Sequence, residues 1–264
     1  MDLGLTGSVA VVCAASRGLG RACATALAQE GCDLAICSRT PDAIEATAAQ
    51  LRQATGRQVL AQVVDVTRPE DIAAFAAAVR ARFGRCDILV NNSGGPPAGT
   101  FDQLDETAWS RACDLVLLNA VRTTKAFLPL IRAGRRGGRI ITITSVSQRE
   151  ALANLILSNA LRAAVAGWTK SLARELAPEA INVTCLAPGT IHTERIDELV
   201  AHNAKAQNTT HDRAAAAWQG RIPLGRFGRP EEFGAACAFL ASSQASFITG
   251  STIYVDGGQM ATVA

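Results

Sequence analysis

The stretch CAASRGLGRA, residues 13 to 22, follows the short apolar run VAVVCA and opens an Ala-rich amphipathic segment. A glycine-bearing turn between a strand and a helix lets backbone N–H groups and the positive helix end approach a pyrophosphate. Gly18 and Gly20 fit the last two glycines of that pattern, and Ala14 stands where the first is expected. An ordinary strand-to-helix turn is the competing reading, which this loop alone does not decide. Metal chemistry finds less support. His192, His202 and His211 share one segment without an HExxH pattern, and no CxxC pair or Cys/His ligand spacing occurs. No structural metal is expected. Cys13, Cys23, Cys32, Cys37, Cys86, Cys113, Cys185 and Cys237 are scattered through apolar or helical stretches and read as small core residues.

The elements that must hold the loop are legible in the alternation that follows it. Apolar runs rich in Val and Ile (VAVVCA, DLAICS, VLAQVVDV, DILVNN, RIITITS, INVTCLAP and STIYVDGG) alternate with helix-length segments. The helices are expected from about Leu19, Pro41 and Pro69, from Asp105 to Ala133, and through Trp168. Pro41 and Pro69 suit a first helical turn, preceded by Thr40 and Arg68, with Glu45 and Asp71 placing negative charge near the start. About seven strands of this kind predict an α/β fold, a doubly wound parallel sheet with helices on both faces. With no Gly/Ser/Pro linker and no internal repeat, one domain over residues 1–264 is expected. The stretch from Thr190 to about Leu224 has no strand slot and is long for a connection, as lids and binding loops are.

Composition excludes other classes. At 264 residues and 48% hydrophobic the chain can bury a full core. A net charge of +3, with eight Phe, three Trp and one Tyr and no basic stripe among them, gives no footprint for nucleic acid. The charge run IRAGRRGGR, with Arg132, Arg135, Arg136 and Arg139, reads either as a solvated helix end or as a docking patch for an acidic or phosphorylated partner. The N-terminus has an acidic start and no basic leader, and no run approaches the ~18 apolar residues of a membrane span. A cytoplasmic protein is expected.

Seven segments together resemble the short-chain dehydrogenase/reductase family, in its 3-oxoacyl carrier-protein reductase-like branch: SRGLG, DVT at 65 to 67, NNSGG at 91 to 95, ITITS at 141 to 145, LAPGTIHTE at 186 to 194, IPLGRFGRPEE at 222 to 232 and FITGSTIYVDGG at 247 to 258. The resemblance covers nearly the whole chain and implies a single Rossmann domain that binds NAD(P). It implies that Ser16, Arg17, Gly18, Leu19 and Gly20 line the phosphates and that Asp65 and Val66 hold the adenine edge. Asn91, Ser93 and Gly94 would lie along the ribose, and Pro188, Gly189, Ile191 and Thr193 would meet the nicotinamide amide and nearby phosphate. Ala14 and Ser93 depart from the family's glycine and alanine but are small. Strand two ends CSRT, with Arg39 and no carboxylate, which favours a 2′-phosphate and predicts NADP(H) in preference to NAD(H).

At the catalytic positions the resemblance breaks. The family's serine is Ser145, but its tyrosine slot holds Ser158, its lysine slot Arg162 and its helix asparagine slot Val116. RAAVAGWTKSLARELAP follows Arg162 with the family's spacing, so the offset is not a misalignment, and the lone Tyr254 lies in the last strand. A subgroup with GGPP after the paired asparagines and LSN…R in place of the tyrosine motif is similar to GGPPAG at 94 to 99 and LSNALR at 157 to 162. A serine hydroxyl and an arginine are poorly poised as general acids near neutrality, yet Arg162 can hold ribose hydroxyls and stabilise an alkoxide as a fixed cation. His192, Gln148 and Glu150 are other candidates for supplying the proton.

Two functions follow: an NADP(H)-dependent oxidoreductase acting on a carbonyl or secondary alcohol with a non-standard site, or an NADP(H)-binding sensor or subunit with little catalysis. A third reading, a scaffold whose Ala14 blocks the dinucleotide, has less support. A carrier-protein-linked substrate is an elaboration that rests on Arg135 and Arg136, and Trp218 and Ile196 are candidate apolar lid contacts. The resemblance also implies a homotetramer built through residues 105 to 133, residues 157 to 177 and the C-terminal strand and tail.

Overall fold

The computed structural model describes residues 2–134 and 137–262. All seven expected strands form: β1 Val9–Val12, β2 Asp33–Ser38, β3 Val59–Val63, β4 Ile88–Asn91, β5 Arg139–Ile143, β6 Asn182–Pro188 and β7 Thr252–Val255. They make one parallel sheet in the order β3-β2-β1-β4-β5-β6-β7. Because β1 is flanked by β2 on one side and β4 on the other, the chain reverses its winding there and leaves a crevice beyond the carboxyl ends of those strands.

Helices cover both faces, as the fully buried β1, β4 and β5 require. On one face α1 (Gly18–Gln29) packs on α9 (Pro230–Ala241), and α2 (Pro41–Thr55) flanks α1. Cys23, Leu27 and Phe233 fill the space beneath them. On the other face lie α3 (Pro69–Phe83), α5 (Asn119–Arg132) and α6 (Ile156–Leu176), with Phe75 against Phe127 edge to face at 5.5 Å between ring centroids. Pro41 and Pro69 sit in the first turns as expected, and Gly56 and Gly84 close those helices in the left-handed conformation. The acid in the first turn of α2 is Asp42, one turn ahead of Glu45.

The expected helix from Asp105 to Ala133 is interrupted. It runs as α4 (Glu106–Cys113), a π-turn (Asp114–Leu118) and α5. Asn119 Nδ2 donates to the Leu115 carbonyl at 3.3 Å, and Thr123 Oγ1 donates to Asn119 Oδ1 at 3.2 Å. These two bonds brace the junction where the wider turn joins α5. Residues 190 to 224 fold as α7 (Glu194–Ala206) and α8 (His211–Gln219). Ile196 and Trp218 pack there with Val200, Ala204, Ala214 and Phe227, so both side chains hold the two helices together.

The arginine run needs correction. Arg139 is neither solvated nor available for docking: it opens β5, buried, with Nε and Nη2 on the Ser242 carbonyl, both at 3.4 Å. Arg132 forks onto Glu179 at 2.6 and 2.7 Å. Arg135 and Arg136, the basis for a carrier-protein dock, lie outside the described residues. Seven of the eight cysteines are buried and all are free thiols. Among the described residues no group of three or more His, Cys, Asp or Glu could hold a metal ion, and no helix is long and apolar enough to cross a membrane.

Candidate active site

The phosphate turn is built by close packing. Ala14, just beyond β1, has φ +49°, and its neighbours are pinned to the sheet: Cys13 N–H donates to the Val90 carbonyl at 3.0 Å and Ala15 N–H to the Cys37 carbonyl at 2.9 Å. A Cβ on Gly20 would lie 2.2 Å from the Ala14 carbonyl oxygen, so glycine is required where α1 meets the turn. Gly18 has φ +55° and lies beside Thr193. Arg17 takes the N-cap position with extended backbone and no side-chain capping bond, and no acid lies in the first turn. This positive helix end has no carboxylate of its own, as anion binding requires.

Alanine at position 14 therefore bears a left-handed backbone that glycine adopts freely, a penalty of about 1 kcal/mol. Ala14→Gly is expected to raise stability by a little under that amount, because glycine also gains freedom in the unfolded chain. Urea denaturation of the two proteins checks it.

The remaining positions fall along the same sheet edge. Arg39 follows β2, exposed, and is near enough to Asp65 to act on its carboxyl. Burial alone would raise that carboxyl. The Thr67 N–H and hydroxyl, donating at 2.9 and 2.7 Å, together with Arg39 and Arg68, hold it below the usual range. Val66 is buried beside it. Asn91 ends β4, its Nδ2 on Thr124 Oγ1 at 2.9 Å, and Ser93 and Gly94 begin the loop beyond. Pro188 ends β6, and a Cβ on Gly189 would meet Asp256 at 2.7 Å. Ile191 turns its side chain into the core, and Thr193 takes the N-cap position of α7 without a side-chain capping bond. Ser16 and Leu19 flank the turn, with the Ser16 carbonyl accepting from Thr47 Oγ1 at 3.1 Å.

Ser145 stands just beyond β5 at the start of a 3-10 turn (Val146–Gln148), its Oγ accepting the Ser147 N–H at 3.1 Å. Ser158 lies in the first turn of α6 and Arg162 one turn further on the same side of the helix. Ser147, which sequence reasoning missed, is 2.9 Å from Ser158 through their hydroxyls. Arg162 is only 8% exposed, and its Nη1 donates to the Ile143 carbonyl at 2.7 Å. Burial, with no carboxylate among the described residues within ion-pair distance, pushes its pKa down to about 10. Val116, in the asparagine slot, sits in the π-turn, buried with Leu157 and Leu161 of α6.

Four buried side-chain polar atoms among the described residues lack a partner in the protein: Asn91 Oδ1, Thr144 Oγ1, Gln148 Oε1 and Arg162 Nε. Asn91 and Thr144 are strand-end residues, and Gln148 and Arg162 follow in the segments next to β5. Such groups are costly in a core and mark an edge arranged for function.

The other proton candidates are engaged elsewhere. Gln148 Nε2 donates to Thr252 Oγ1 and Tyr254 Oη at 2.8 and 3.1 Å, and Glu150 accepts from the Ala261 N–H at 3.2 Å. The exposed His192 bonds Asp197 at 3.0 Å and stacks on Phe227. It borders a cleft of about 520 Å³ between α1, α9 and the start of α7, which Ser145, Ser158 and Arg162 do not line.

A parallel sheet with its switch point beside an uncapped, glycine-lined helix end defines a nucleotide-binding α/β protein. Comparison with known proteins narrows this. The family described as Enoyl-(Acyl carrier protein) reductase matches residues 13–260. The 3-oxoacyl-(acyl-carrier-protein) reductase FabG of Vibrio cholerae is 37% identical over 256 residues, covering 97% of this chain and 98% of the other. L-sorbose reductase from Gluconobacter frateurii, solved with NADPH and L-sorbose, matches with a TM-score of 0.95 at 33% identity over 100% of both chains. An NADPH-bound short chain oxidoreductase from Pseudomonas aeruginosa, described as containing an atypical catalytic center, matches at 0.88 and 31%, covering 97% of this chain and 98% of the other. The chain belongs to the short-chain dehydrogenase/reductase family.

The residues present fit a 2′-phosphorylated dinucleotide: a helix end with no acid in its own first turn, glycine at its closest packing, a cation after β2 and an unpaired Arg162 Nε beside β5.

Proposed function

We propose that the protein is an NADP(H)-dependent oxidoreductase that reduces a carbonyl or oxidises a secondary alcohol, keeping the family's serine as Ser145 and using Ser158 and Arg162 in place of its tyrosine and lysine. The observation that carries this reading is Arg162: a buried guanidinium with, among the described residues, no carboxylate within ion-pair distance and no partner for Nε, one helical turn from Ser158. Arg139, buried to the same degree, commits Nε and both terminal nitrogens to the Ser242 and Gly138 carbonyls, whereas Arg162 keeps a buried Nε without a partner. When bound, the nicotinamide would supply or accept the hydride, and the proton of the alcohol oxygen would be exchanged with solvent. The Ser145 hydroxyl, which only accepts within the protein, is free to donate to the substrate oxygen. Arg162 contributes fixed positive charge in a site of low dielectric, where charge developing on that oxygen is stabilised most.

Ser16 to Gly20 bind the phosphates, Asp65 and Val66 the adenine, and Asn91, Ser93 and Gly94 the ribose. Pro188, Gly189, Ile191 and Thr193 receive the nicotinamide end. The chain acts as one domain, with residues 190 to 224 as the substrate lid; the Arg17 to Glu198 ion pair at 3.8 Å supports contact between lid and phosphate turn. A 3-oxoacyl group on a carrier protein is the finer substrate reading, supported by the FabG relative. Assembly as a homotetramer is supported by β7, an edge strand preceded by the fully exposed Phe247. Eight free thiols suit the reducing cytoplasm.

Titration with NADPH and NADH by nicotinamide fluorescence tests the reading. NADPH is expected to bind more tightly, and Arg39→Asp to weaken NADPH by about tenfold or more while sparing NADH, the loss of one charge-assisted contact. Equal affinities in both proteins would overturn the cofactor assignment.

A further inference from the structure

We infer that Ser147 is a positioning residue that turns the Ser158 hydroxyl toward the substrate oxygen, an inference that rests on the function proposed above. Two bonds tie Ser147 to both catalytic hydroxyls: its N–H donates to Ser145 Oγ at 3.1 Å and its own hydroxyl lies 2.9 Å from Ser158 Oγ. Its side chain is buried, only 2% exposed, whereas Ser158 is partly exposed. A hydroxyl has one proton and two lone pairs. If Ser158 gave its proton to Ser147, it could only accept and would meet a carbonyl oxygen lone pair to lone pair. With Ser147 as donor, Ser158 accepts inside the protein and keeps its own O–H for the substrate.

The backbone holds the two hydroxyls within range, and the substrate oxygen that Ser158 must meet selects Ser147 as the donor. The 3-10 turn holds Ser147 through Gln148 N–H to the Ser145 carbonyl at 3.1 Å and Arg149 N–H to the Val146 carbonyl at 3.0 Å. Ser147 is therefore held on a hydrogen-bonded turn and Ser158 on the first turn of a helix of 21 residues. A tyrosine would carry its hydroxyl far from the backbone. A serine in that slot has a short arm and needs a neighbour to set its rotamer.

The test is a double-mutant cycle on steady-state NADPH oxidation with a carbonyl substrate. Ser147→Ala is expected to lower kcat about tenfold, as loss of one aligned hydrogen bond does, with KM for NADPH unchanged. In a Ser158→Ala background the same change is expected to have no further effect, and Ser147→Thr is expected to restore most of kcat. A loss of equal size in both backgrounds, or none in either, overturns the role of Ser147 alone. Absence of turnover in the unmodified protein overturns the parent reading instead. Because Ser147→Ala can act through folding, the thermal midpoint and NADPH affinity are read on the same samples. A fall in kcat that tracks a fall in either also counts against positioning.

Discussion

Gly20→Ala is expected to destabilise the protein by roughly 3 kcal/mol and to remove dinucleotide binding. The added Cβ would stand 2.2 Å from the Ala14 carbonyl oxygen and 2.8 Å from Asn92 Nδ2. Neither neighbour can retreat cheaply. Ala14 is already in the left-handed region between two residues bonded to adjacent strands, and Asn92 Nδ2 reaches back to the same carbonyl at 3.4 Å. The helix would have to move off the turn, carrying the N–H groups of its first residues with it. Alanine's better helix propensity, about 1 kcal/mol, is too small to offset this. Gly18→Ala is the control: its Cβ would find ordinary contact at 3.7 Å from Thr193, leaving only the strain of φ +55°. Urea denaturation and NADPH titration of both variants should rank them in that order. A Gly20→Ala protein as stable as the unmodified one would mean that α1 is not seated on Ala14.

Arg162→Met should separate activity from stability. Turnover is expected to fall about 10²-fold or more, the scale associated with removing one stabilising donor at a developing oxyanion. Stability is expected to hold or rise, because methionine fills similar volume without a poorly compensated buried charge. The sign follows from burial holding the Arg162 pKa at about 10, well below the ordinary guanidinium range. The folded state binds this proton less tightly than the unfolded state, so the penalty is present in full below about pH 10. It fades as pH rises beyond about 10, so the stability difference between the two proteins should be flat from about pH 6 to 9. Loss of folding in Arg162→Met, with activity lost in proportion, would make the residue structural.

Much of this architecture was legible because it rests on local signals. Pro41 and Pro69 mark helix starts through their fixed φ, and the apolar runs of the inner strands β1, β4 and β5 need burial on both faces. The glycines of the phosphate turn carried their meaning through position, between a strand and a helix. What escaped the sequence depends on partners distant in the chain or on geometry without a residue signature. Arg139 looked like part of a solvated run because the Ser242 carbonyl it serves lies 103 positions away. The π-turn at Asp114–Leu118 widens one turn of an otherwise ordinary helical pattern, and no periodicity separates it from its flanks. Ser147 differs from any other loop serine only because α6 brings Ser158 against it.

The most direct measurement is NADPH consumption at 340 nm by the purified protein with a set of ketones and 3-oxoacyl thioesters, run beside Arg162→Met and with NADH in place of NADPH. Turnover is expected with NADPH, slower turnover with NADH, and a loss of about 10²-fold in Arg162→Met. NADPH that binds tightly but is never consumed, or turnover untouched by Arg162→Met, would contradict the proposed function.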